Sequence, residues 1–170
     1  FGYSHLYGLD VFTYGPVTLN GVSAVYNNAG PGIRVVVADG GAVNILSSYG
    51  ANTFSNNGGD GLIVDSNGKI TASNLVAIDN IGLGINLDSN SSIGETVTVS
   101  GATLQWNEGG GMRIIAHGPV SLTKVNATWN GTGTTGNGVT VVSNGYKVSI
   151  YTSSALTNRA SGFHITLGGG

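Results

Sequence analysis

The groups able to do chemistry are few: eight acidic residues, six lysines and arginines, three histidines and no cysteine in 170 residues. Asp65 and Asp88 stand out, because they occupy equivalent positions in successive repeats of the sequence and Arg34 lies one repeat earlier. On adjacent strands such carboxyls would sit ~4.8 Å apart. That is close enough to share a metal ion or to act as acid and base on a glycosidic bond. A solvated strand face is the simpler account of the same residues. Asp60 and Asp79 fall near loop ends, and His5, His117 and His164 fall in different repeats, so no metal cluster or catalytic triad assembles from the sequence. The absence of cysteine excludes disulfides, thiol catalysis and cysteine-ligated zinc together. The glycine triplets at 109–111 and 168–170 precede no helix that could hold phosphate. Glycosylation triplets begin at Asn90, Asn126 and Asn130, as chance allows in a chain with 18 asparagines. No cofactor is expected.

The composition narrows the partners as well. Charged residues make up 8% of the chain and the net charge is −2, which leaves no electrostatic footprint for nucleic acid. No stretch of 18 apolar residues exists, so no membrane span is expected. Glycine is abundant at 30 residues, yet a hydrophobic share of 40% can bury a core, and a folded chain is expected.

What must position these groups is a repeat. An 11-residue block recurs without gaps at 17–27, 70–80, 97–107, 120–130 and 148–158, and a copy at 43–56 carries three extra residues around Tyr49 to Ala51. A second block opens with glycine at Gly8, Gly32, Gly61, Gly84, Gly111, Gly138 and Gly162, spacings that average about 26 residues. Both blocks alternate apolar with other residues at period 2, and no helical period appears. Short strands in such a repeat predict an all-β fold, a single-stranded parallel β-helix of six to seven coils. One coil cannot enclose its own apolar side chains, whereas stacked coils bury a continuous column. A single β-solenoid domain over 1–170 is expected, with a partial first coil at 1–14 and six coils in 15–170.

Three apolar columns should point inward, headed by Val17, Ile33 and Val35, with small residues Ala24, Ala77, Ala127 and Ala155 in a fourth. Asparagine ends each first block, giving an expected ladder of Asn27, Asn56, Asn80, Asn107, Asn130 and Asn158. Its amides would hydrogen-bond from coil to coil, and asparagine tolerates left-handed turns. A second expected ladder runs through Asn67, Asn90 and Asn144, with His117 and Asp39 substituting.

A strand ending in Asn, a short loop, then Gly opening an alternating apolar strand resembles the right-handed parallel β-helix superfamily, the pectate-lyase-like proteins. The resemblance covers Gly8 to Leu167 and implies right-handed coils. Polysaccharide lyases and hydrolases, phage tailspikes and bacterial surface proteins share that coil, so fold is implied rather than activity. Richness in Asn, Gly, Thr and Ser with regular coils is most similar to the repetitive surface and adhesin-type members.

These features together lead to the expectation of a non-enzymatic structural protein at the cell surface or outside the cell. The chain begins without an initiator methionine or signal peptide, so a mature form or a fragment is expected. No capping helix precedes Phe1, Tyr3, Leu6 and Tyr7 or follows Phe163, Ile165 and Leu167, and these end residues are expected to carry head-to-tail self-assembly. Surface glycans are the alternative partner, through a carbohydrate-binding or polysaccharide-cleaving β-helix. Outward rows such as Thr18, Thr71 and Thr98 raise ice binding as a second alternative.

Overall fold

The computed structural model describes residues 2–27, 29–89, 94–132 and 136–168; Phe1 and Asn90, each assigned a role from the sequence, lie outside the described residues. Period-2 alternation over Val-, Ile- and Leu-rich segments leaves strand as the only element, and among the described residues the chain forms no helix. Strands are numbered along the chain. One sheet stacks β1 (Leu9–Thr13), β4 (Ile33–Val37), β7 (Leu62–Ser66), β9 (Leu83–Ser89), β11 (Gly110–Ala116), β13 (Val139–Ser143) and β16 (Phe163–Leu167) in that order. The other stacks β2 (Val17–Asn20), β5 (Val43–Leu46), β8 (Ile70–Ile78), β10 (Val97–Gln105), β12 (Val120–Thr128) and β14 (Val148–Tyr151). Three short strands, β3 (Ser23–Val25), β6 (Asn52–Ser55) and β15 (Ser154–Leu156), extend this second sheet. Each neighbour in a sheet is the equivalent strand one coil away, and every pairing is parallel, so the chain is a β-solenoid of about six turns.

The expected columns are in register. Val17, Val43, Ile70, Val97, Val120 and Val148 align in one, and Ile33, Leu62, Ile85, Met112, Val139 and Phe163 in another. Val35, Val64, Leu87, Ile114 and Val141 form the third, all fully buried. The small-residue column also holds two large members, running Ala24, Phe54, Ala77, Leu104, Ala127 and Ala155. Phe54 is fully buried between two alanines, so large and small side chains interdigitate along the axis.

Two local features depart from a simple alternating strand. The first block bends at its fifth residue, where Gly21, Asn74, Gly101, Lys124 and Thr152 adopt positive φ. That single residue shifts the inward parity. Ile70 and Ala72 point in before the bend, and Leu75 and Ala77 point in after it. The insertion is also longer than expected. Seven steps separate Ile45 from Asn52 where the partner strand uses three from Ala72 to Leu75, so four residues are extra, not three. Buried Asn52 ties this insertion down: its Oδ1 accepts from Val22 N at 3.0 Å, and its Nδ2 donates to Leu46 O at 2.8 Å and Ser73 O at 3.0 Å.

The glycine that opens each second block has a packing reason. A Cβ on Gly84 would lie 2.6 Å from Gly111 O and 2.8 Å from Asn107 Nδ2, and Gly32 and Gly138 are confined in the same way. Backbone and ladder amide approach too closely there for any side chain.

Candidate functional site

The ladder edge is the most built part of the surface. In each step an asparagine Oδ1 accepts two hydrogen bonds from the asparagine one coil before, from its backbone N–H and its Nδ2. The pairs measure 3.2 and 2.8 Å for Asn27 to Asn57, 3.1 and 2.9 Å for Asn57 to Asn80, and 3.2 and 2.8 Å for Asn80 to Asn107. They continue at 3.2 and 2.9 Å to Asn130 and at 2.9 and 3.0 Å to Asn158. The second amide hydrogen reaches back to the small-residue column, as from Asn80 to Phe54 O at 3.0 Å and from Asn107 to Ala77 O at 3.0 Å. Asn27, Asn57, Asn80, Asn107 and Asn130 are buried, and this network satisfies their side chains.

The member of the third coil is therefore Asn57, and the expected Asn56 is exposed beside it. The fourth inserted residue moves the ladder one position along. The left-handed conformation also lies elsewhere: positive φ occurs at Tyr26, Asn56, Asp79, Trp106, Trp129 and Thr157, each just before a ladder residue. Among the described residues the second expected ladder does not form. Asn67 and Asn144 are exposed, as is Asp39, and His117 is partly exposed. A one-residue step reverses the face of a strand, so the inward positions belong to Ser66, Ser89 and Ser143. Their hydroxyls donate to the carbonyls of Gly41, Gly68 and Gly118 at 3.0, 3.3 and 3.3 Å.

Because each ladder asparagine turns inward while its neighbours turn outward, a furrow runs along this edge parallel to the axis. One wall is the column Asp79, Trp106, Trp129 and Thr157; the other carries Ile81, Glu108 and Arg159. Three depressions of about 270, 280 and 260 Å³ lie along it, successive ones sharing Asp79 and Ile81, then Thr132. Trp106 and Trp129 are about half exposed, and on the same edge Tyr3 stacks on Tyr26 with centroids 5.6 Å apart. Sequence reading missed this column, although the residue before every ladder asparagine was its signal.

The carboxyl pair sits on the outer face of the seven-stranded sheet. Asp65 and Asp88 are direct partners in the β7–β9 register. Burial first, and then the Asp65 charge, pushes the Asp88 carboxyl up from its ordinary value, against the opposing pull of Arg113 and His117. The Asp88 Oδ1 is buried without a hydrogen-bond partner among the described residues. Arg34 does not join this pair, because it bonds Asp10 at 3.6 Å across β1 and β4. Arg113 takes the flanking place, with its Nη1 donating to Asn86 Oδ1 at 3.4 Å. Asp60 completes the group: it accepts from Leu83 N at 2.7 Å and Asn86 Nδ2 at 3.3 Å, and burial pushes its carboxyl up despite them. Among the described residues no three His, Asp or Glu converge as a metal centre.

At the ends, Tyr3, Leu6, Tyr7, Ile165 and Leu167 are exposed, while Phe163 is partly covered. The outward hydroxyls align as Thr71, Thr98 and Ser121 beside Ser73, Ser100 and Thr123, and Asn44 breaks the row one coil earlier. Comparison with family models, with curated proteins and with solved structures gives no match.

Proposed function

We propose that the chain is a non-enzymatic, extracellular structural solenoid that stacks head to tail into a filament or surface fibre, akin to the repetitive surface members of the right-handed parallel β-helix superfamily. The observation that carries this reading is the regular stacking: every strand pairs in parallel with its equivalent one coil away, and the apolar columns run through the coils in register. Stacking end on end would set apolar column on apolar column and pair strand edge with strand edge, a heterologous contact that does not close. The ladder adds direction, since each asparagine-to-asparagine step donates toward the last coil. Low charge and an absence of disulfides suit a passive, load-bearing element.

Negative-stain electron microscopy of the purified chain, with a sizing run across concentration, tests it. Fibres one solenoid wide are expected. A monomer at every concentration would refute assembly of this chain.

A second reading, cleavage or binding of a polysaccharide, is favoured by the Asp65–Asp88 pair, in which burial and then the Asp65 charge push the Asp88 carboxyl up. Loss of a measured cleavage in Asp88→Asn would support it.

A further inference from the structure

Trp106 and Trp129 form a comparison built into the molecule. They are successive members of one column, in the same left-handed backbone conformation and 48% and 53% exposed. Only their surroundings differ. The depression of about 280 Å³ beside Trp106 is lined by Asp79, Glu108 and Ile81, and the depression beside Trp129 is lined by Thr157 and Arg159. Asp79 and Glu108 are exposed and make no salt bridge or side-chain hydrogen bond among the described residues. Two carboxylates without partners thus flank a half-exposed indole, with the 59% exposed side chain of Ile81 alongside.

An indole face attracts a cation through its quadrupole, most strongly for Trp, and substituted ammonium groups exploit this because their alkyl groups are weakly hydrated. Carboxylates beside the ring add charge attraction, and Ile81 offers apolar contact to methyl or methylene groups. Arg159 beside Trp129 reverses the local charge, so the same ring one coil on repels the ligand that Trp106 attracts. We propose that the Trp106 depression is a binding site for a substituted ammonium group, presented by a free choline-type cation or by a methylated lysine side chain of a peptide. The proposal is independent of end-to-end assembly.

The test titrates the folded chain with tetramethylammonium, choline, a trimethyllysine peptide and the neutral choline isostere 3,3-dimethylbutanol. The readout is the two indole N–H resonances, assigned with Trp106→Phe. A saturable shift of the Trp106 resonance alone is expected, weakening with salt, with roughly tenfold lower affinity in Asp79→Asn/Glu108→Gln. Both substitutions are on the surface, and an unchanged Trp129 resonance confirms folding of the variant. Binding by choline or by the peptide each supports the site, and their ratio identifies the source of the ammonium group. Equal shifts at Trp129, equal affinity for the neutral isostere, no loss in the double variant, or no binding of any cation would each overturn it.

Discussion

Asn107 accepts two hydrogen bonds from Asn80 on one oxygen, from the backbone N–H at 3.2 Å and from the side-chain amide at 2.8 Å. Replacing Asn107 by leucine strips both donors of their acceptor, deprives Ala77 O of its donor and leaves Asn130 Oδ1 with only the backbone N–H of its two donors. Each buried orphan costs about 1–3 kcal/mol, so a loss of at least ~3 kcal/mol is expected in chemical denaturation. Asn67→Leu, on an exposed residue, is expected to cost under ~1 kcal/mol.

Phe54→Ala would leave a hole between Ala24 and Ala77, its two small neighbours in the column. A loss of about 3–5 kcal/mol is expected in the same denaturation measurement. Xenon or benzene binding would report the cavity directly.

Gly84→Ala places a methyl against Gly111 O and Asn107 Nδ2, so coils must part locally. The expected cost is about 1–3 kcal/mol in thermal or denaturant unfolding. At Gly15 an added Cβ would meet only Thr13 Oγ1 at 3.9 Å, and Gly15→Ala should be nearly neutral.

Ile165→Lys sets a charge on the open face of the last coil while leaving the buried columns intact. Sizing should show assembly abolished with melting little changed. Normal fibres from this variant would remove the end-face contact from consideration.

Asp88→Asn addresses the pH response. The native state holds the Asp88 proton more tightly than the unfolded chain does. Its ionisation therefore subtracts stability as pH rises from the ordinary aspartate value through the raised one. The variant should be more stable near neutral pH, by about 0.5 kcal/mol as expected for relieving two like charges on paired strands, and equal to the parent in acid. Melting scans across pH measure both ends.

The columns were legible because Val, Ile and Leu recur at coil spacing and nothing but stacking can bury them. Asn56 misled because Asn57 follows it, and composition cannot choose between adjacent asparagines when an insertion of unknown length precedes them. Asn67 and Asn144 misled for a parity reason: the inward residue is the serine just before, which also bonds a carbonyl. The bend at Asn74 and Lys124 was hidden, since a slip of one residue inside a block still looks alternating. At the candidate sites, Asp65 and Asp88 were placed together by repeat spacing alone. Arg113 was not, because side-chain reach across two strands leaves no mark in the repeat.

The left-handed position before each ladder asparagine separates maintenance from display. The same backbone geometry recurs beside each ladder asparagine, and tyrosine, asparagine, aspartate, tryptophan and threonine all stand there with exposed side chains. Such a socket is indifferent to its occupant. Relatives of this solenoid could exchange the whole row while keeping every buried contact, and so diverge completely in what they hold while remaining the same rod.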